Sequence, residues 1–105
     1  MSDLELCKKF AELEGKNGDF GASLKGCFVM KYIDGSQSPY NPITDLALNC
    51  AAIIKYRLKV EPEYDGEWYA TRCDGGWSKR QASKTKDANL QRAVVTCILK
   101  SEGLL

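Results

Sequence analysis

The sequence predicts an α+β fold: a small α/β/α sandwich with a mainly antiparallel sheet of about four strands and helices on both faces. Three observations carry this reading. Apolar residues recur at helical spacing in three separate segments. An Asp65-Gly66 pair lies between two strand-like runs, the signature of antiparallel neighbours. The strand-like run 27–33 is apolar on both sides, so it asks for cover on both sides. An open layer with helices on only one face is the alternative. The 105 residues suffice for one domain, 1–105, with a single modest core.

Residues 2–14 read as the first helix. Ser2 and Glu5 are spaced as a capping box, and Leu6, Phe10 and Leu13 share a face with Leu4 and Cys7 nearby. Gly15 is a stop signal, and residues 15–26, with four glycines, read as loop. Residues 27–33 follow as a strand closed by Asp34-Gly35-Ser36. The second helix starts near Asn41-Pro42 or Thr44-Asp45, because Asn and Thr cap well and Pro suits the first helical position. Its periodic residues are Leu46, Cys50, Ile53 and Ile54, and it ends around Tyr56–Leu58.

Runs 59–64 and 67–73 form a hairpin whose two turn residues, Asp65 and Gly66, take positive φ. Trp68, Ala70 and Arg72 share one face of its second strand; Tyr69, Thr71 and Cys73 share the other. A polar strand over 77–84 completes the meander. The last helix covers 88–101, with Leu90, Ala93, Val94, Cys97 and Ile98 on one buried face and Asp87 or Asn89 as its cap.

Composition narrows the function. There is no histidine, so no His-based triad, His general base or His metal ligand exists. Cys7, Cys27, Cys50, Cys73 and Cys97 form no C-x-x-C pair and read as small buried hydrophobes in a reducing cytosol. The start of the chain is acidic without an apolar signal region, and no stretch approaches the roughly 20 apolar residues of a membrane span. No nucleotide-loop, serine-hydrolase or zinc-protease motif occurs. Glu61 and Glu63 share a strand face beside a turn, where a solvated role is the ordinary one. The expectation is a binding protein without a cofactor, not an enzyme.

Binding features are better represented. The net charge of +1 conceals an asymmetry: residues 1–66 hold 8 basic and 10 acidic side chains, and residues 67–105 hold 7 and 4. Arg72, Lys79, Arg80, Lys84, Lys86 and Arg92 belong to the basic part. They suit one or a few phosphates, not a long nucleic acid. Lys on an edge strand also serves simply to block edge pairing. Trp68, Tyr69 and Trp77 lie beside those charges, and a base can stack on such a ring. The loop 36–45, with Tyr40 and Asn41, delivers polar groups to a helix start, and Asn89 does the same for the last helix.

Taken together, Ser38-Pro39-Tyr40-Asn41-Pro42-Ile43-Thr44-Asp45-Leu46-Ala47, Gly66-Glu67-Trp68-Tyr69-Ala70 and the closing helix from Ala88 to Ile98-Leu99-Lys100 resemble the phage ABA-sandwich domain family. The resemblance covers most of 38–105. Within it, the chain looks like Thoeris anti-defence proteins of the signal-sponge type. That resemblance implies a phage protein acting in the cytoplasm of the infected bacterial host. It implies a homo-oligomer, dimer or hexamer, that holds cyclic ADP-ribose isomers, and in some members cyclic oligonucleotides, without cleaving them. It also directs attention to Trp77 and Asn89 as ligand residues. With the residue-level reading, the candidate ligand set is Trp77, Asn89, Arg72, Arg80, Arg92, Tyr40 and Asn41. The alternative is a protein–protein inhibitor of a bacterial defence complex that uses the basic strand face.

Overall fold

Helix α1, Asp3–Leu13, begins where the sequence says it should: Ser2 is the N-cap, and its hydroxyl accepts a hydrogen bond from the Glu5 amide at 3.2 Å. The computed structural model describes residues 2–15, 19–22, 28–31, 36–73 and 85–105. Leu6, Cys7, Phe10 and Ala11 form the buried face of α1. The chain then forms β1, Asp19–Ala22, β2, Phe28–Lys31, and β3, Gln37–Pro39. These make an antiparallel sheet in the order β1-β2-β3, with Phe20 opposite Met30 and Met30 opposite Ser38.

Both expected starts of the second helix are used, in succession. The Asn41 side chain accepts from the amides of Ile43 and Thr44 at 3.1 and 3.2 Å, closing a single turn. Asp45 then caps α2, Leu46–Lys55, by accepting from Ala47 and Leu48. Helix α2 ends at Tyr56, and Arg57 takes a left-handed φ of 53° that turns the chain directly into β4, Leu58–Pro62.

The hairpin between β4 and β5, Trp68–Arg72, is real, but its loop differs from the two-residue form. Glu63 donates to Glu67 across the pair, and Gly66 donates back to Glu63. Tyr64, Asp65 and Gly66 are therefore the loop, and only Gly66, at φ 89°, has positive φ. This is a type I turn completed by a left-handed glycine, the usual three-residue solution. Asp65 spares itself the left-handed region and accepts instead from the Glu67 amide.

The third strand of the meander is β6, Thr85–Asp87, with Ala70 opposite Thr85. The polar strand expected over 77–84 lies outside the described residues. Helix α3, Leu90–Ser101, follows with Asn89 as its cap. It ends on Gly103 at φ 76°, with Gly103 donating to Lys100 and Leu104 to Leu99, a closure that favours glycine.

The protein is thus α+β, with three helices and two small antiparallel sheets. The α+β class and the antiparallel pairing are as expected, but the strands are shared between two sheets of three. The physical reason lies in the sequence of 15–26 and 34–42. These polar, glycine- or proline-rich stretches read as loop, yet β1 and β3 arise from them and pair with β2. Strand β2 therefore has its own partners.

Helix α3 is central. It packs on β4, β5 and β6, and also against α1 and α2, while α1 reaches β1 of the first sheet. The main core joins Leu6, Phe10, Met30, Tyr40, Ile43, Val94, Val95, Ile98 and Leu99. A smaller group, Ala70, Ala93 and Cys97, seals α3 against the second sheet. Small side chains there let helix and sheet approach closely.

Candidate functional site

Each described candidate residue has an intramolecular partner. Arg72 lies on the inner face of β5 with only 5% of its surface exposed. Its guanidinium donates to Glu102 at 2.6 Å and to Ser101 at 2.8 Å, and it lies 5.1 Å from the centre of the Tyr56 ring. The alternation of β5 forces this placement: Ala70 must face α3, so Arg72, two residues on, faces the same way. A buried cation requires an anion, and Glu102 at the end of α3 supplies it.

Arg92 lies in the first turn of α3 and pairs with Asp3 of α1 and Asp87 of β6. It joins three elements, and 28% of its side chain stays exposed. Asn89 is exposed, and its Oδ1 accepts from the Arg92 amide at 3.0 Å. Asp87 in turn accepts from the Asn89 amide at 2.8 Å. Tyr40 is buried in the main core. Asn41 holds the turn before α2 and accepts from the Cys7 thiol at 3.5 Å. Trp77 and Arg80 lie outside the described residues, as do Lys79, Lys84 and Cys27.

Among the described candidate residues, only Asn89 and Arg92 are brought together in an exposed place. Tyr40 and Asn41 adjoin one another before α2, and Arg72 lies at the opposite end of α3, beside Ser101 and Glu102. The spot at the start of α3 combines an amide, a guanidinium and two carboxylates. Asp3 and Asp87 make it a poor seat for phosphate, because like charges repel at this range. Its mixed donors and acceptors suit hydroxyl and amine groups, such as those of a ribose or an adenine.

The outer face of the second sheet carries Lys59, Glu61, Tyr69, Thr71 and Lys86. Within the described residues it is mixed in charge rather than basic. Lys86 pairs with Asp65 at 2.8 Å and Glu67 at 3.2 Å, and sits 5.5 Å from the centre of the Tyr69 ring. Its hydrogen bond to Asp65, followed by that to Glu67, raises the Lys86 pKa; the same Lys86 contact holds the Asp65 carboxyl below its usual range.

The cysteines divide. Cys7 and Cys97 are buried, and burial raises both thiols to about 11. Both are therefore protonated at neutral pH and unsuited to act as nucleophiles. Cys50 and Cys73 are exposed, which corrects the expectation that these two are core residues. None of these four cysteines is in a disulfide, and no group of three Cys, Asp or Glu side chains among the described residues is placed to hold a metal. No helix among them is long and apolar enough to cross a membrane.

Sequence reasoning missed two contact points that hold the fold together. Asn49, fully buried on α2, donates through Nδ2 to the carbonyls of Pro42 and Gln91 at 2.9 and 3.1 Å. A polar residue between Leu48 and Cys50 was the available signal. Glu14, the C-cap of α1, accepts from Lys55 at 2.5 Å and from the Tyr56 hydroxyl at 2.8 Å. Burial, then this acceptor, raises the Tyr56 pKa. No local pattern announces such a contact, because its partners are 41 and 42 residues apart.

No family model, curated protein or solved structure matches the chain.

Proposed function

We propose that this protein is a phage-type anti-defence protein that binds cyclic nucleotide immune signals and sequesters them without cleaving them. Cyclic ADP-ribose isomers are the first ligand class, and cyclic oligonucleotides the second. The protein acts by mass action in the cytoplasm of the infected bacterium: bound signal cannot reach its effector. Affinity suffices for that role, and turnover is not needed.

The observation that carries the reading is the exposed start of α3. Asn89 is exposed and commits its Oδ1 to the cap, so its amide nitrogen is the donor it can offer to a ligand. One turn on, the Arg92 guanidinium is fixed by Asp3 and Asp87 and stays partly exposed. Such a fixed polar cluster recognises a ribose or base edge with little ordering cost. The resemblance of most of 38–105 to the phage ABA-sandwich domain family, within which the chain looks like signal-sponge proteins, supports the same role. In this reading Trp77 stacks the base and Arg80 meets the phosphates. The protonated Cys7 and Cys97 thiols favour binding over covalent catalysis.

Calorimetry with cyclic ADP-ribose isomers and with cyclic di- and trinucleotides tests the proposal. Saturable heat is expected with at least one, with the ligand recovered unchanged after the protein is heat-denatured. Asn89→Ser keeps a capping oxygen but removes the amide donor, so it should weaken binding while the fold persists. Folded protein that gives no heat with any of these ligands overturns the reading. Recovery of a cleaved product would instead make the protein an enzyme.

A further inference from the structure

The second sheet meets α3 in a fixed order along β5. Arg72 reaches Ser101 and Glu102 at the end of the helix. Ala70 packs with Cys97 and Ala93, nearer its middle and first half. Trp68 comes next on the same face of the strand, so it lies at the level of the helix start. In the pairing it stands between Pro62 of β4 and Asp87 of β6. Side chains directly opposite one another in an antiparallel pair share a face, with Cβ atoms about 4.5–5.5 Å apart. Trp68 and Asp87 are therefore neighbours.

Two observations set Trp68 apart from the core. Leu58 and Val60, on the same face of the sheet, pack against both core clusters, whereas Trp68 is part of neither. The side chain is only partly buried, so some of its aromatic surface is open. Its neighbour Asp87 is the carboxylate that accepts from the Asn89 amide and pairs with Arg92. An aromatic surface, an amide, a guanidinium and a carboxylate thus meet at one edge of the molecule.

We infer that Trp68 is a stacking surface for the base of a purine nucleoside held at the start of α3. The assignment rests on the proposed function and adds to it the part of the ligand that this edge reads. A purine ring gains from stacking on an indole face, and the gain needs no charge. Its exocyclic amine and the ribose hydroxyls are donors, and the Asp87 carboxylate has lone pairs beyond those used by Asn89 and Arg92. The Asn89 amide supplies a donor for a ring nitrogen or a ribose oxygen. Asp3 and Asp87 repel phosphate, so the phosphates of a cyclic signal point away from this edge. Selection here is by base and ribose, and Trp68 is a second ring in addition to the Trp77 of the proposed function.

Nuclear magnetic resonance of the full, isotope-labelled chain tests this on the wild type. The chain has two tryptophans, and either Trp68→Leu or Trp77→Phe identifies which indole N–H signal belongs to Trp68. Adenosine should move the Trp68 signal in a saturable way, and inorganic phosphate should leave it in place. Trp68→Leu should weaken whichever cyclic nucleotide gives heat in calorimetry by about tenfold or more, with circular dichroism as in the wild type. A cyclic nucleotide that binds while the Trp68 signal stays fixed overturns the assignment and leaves the proposed function standing. So does a folded Trp68→Leu variant that binds as tightly as the wild type. A Trp68 signal that answers to phosphate and not to adenosine also overturns it. If no cyclic nucleotide gives heat, the proposed function falls and this assignment falls with it.

Discussion

Helices α2 and α3 are neighbours with opposite fates. Helix α3 buries six residues, Ala93, Val94, Val95, Cys97, Ile98 and Leu99, because the second sheet, α1 and α2 surround it. Helix α2 is richer in uncharged apolar residues, yet it fully buries only Asn49 and Ala52. Position in the packing decides this contrast, since hydrophobicity alone would have exchanged the two. Core membership depends on what the tertiary fold places on each side of a helix, and α2 has a protein layer on one side only.

Five substitutions and one titration sharpen the contrast, with the largest effects on the α3 side. Ile98→Ala should cost about 2–5 kcal/mol in chemical denaturation, because the rigid surroundings of α3 cannot collapse into the gap. Arg72→Ala should cost somewhat less, about 2–4 kcal/mol, since it strands Glu102 beside Tyr56; the partial exposure of Glu102 lets water relieve part of the loss. A cost within the range of a surface mutation would show that this pair is not a structural link.

The buried thiols predict a pH effect. Their folded pKa, about 11, exceeds the ordinary value of 9.0, so the native state keeps protons that the unfolded chain releases. Their contribution is complete below pH 9 and is lost as pH rises towards 11. Stability should fall across that window, and Cys97→Ala should flatten the decline. An equally steep decline in that variant would assign it to other groups.

On the α2 side the effects shrink. Asp45→Ala should cost about 1 kcal/mol through loss of the cap. Ile54→Glu should leave monomer stability within about 0.5 kcal/mol, a result that would be impossible for Ile98. Thermal denaturation measures both.

The same contrast explains what the sequence could reveal. All three helices and the β4–β5 hairpin were legible because caps and periodicity are local: Ser2 with Glu5, Asp45 before Leu46, Asn89 before Leu90. Strands β1 and β3 were not, because Asp19–Ala22 and Gln37–Pro39 have weak strand propensity and acquire structure only by pairing with β2. The side of α2 that faces outward was equally hidden, since Cys50 and Ile54 read as core by period alone. The candidate site was legible in part. The cap role of Asn89 followed from its position, but the acids beside Arg92 and Arg72 come from Asp3, Asp87 and Glu102. The Asp3–Arg92 pair spans most of the chain and the Arg72–Glu102 pair joins a strand to the end of the last helix, and no spacing rule encodes either.

The centrality of α3 has a consequence for how the protein comes into being. Every element that α3 packs on is made before it: α1, α2 and all three strands of the second sheet leave the ribosome first. Until Leu90–Ser101 emerges, Leu6, Phe10, Ile43 and Ala70 have no helix against which to bury. The nascent chain must therefore wait in an open, aggregation-prone form and then fold in one cooperative step through contacts distant in sequence, such as Asp3 with Arg92.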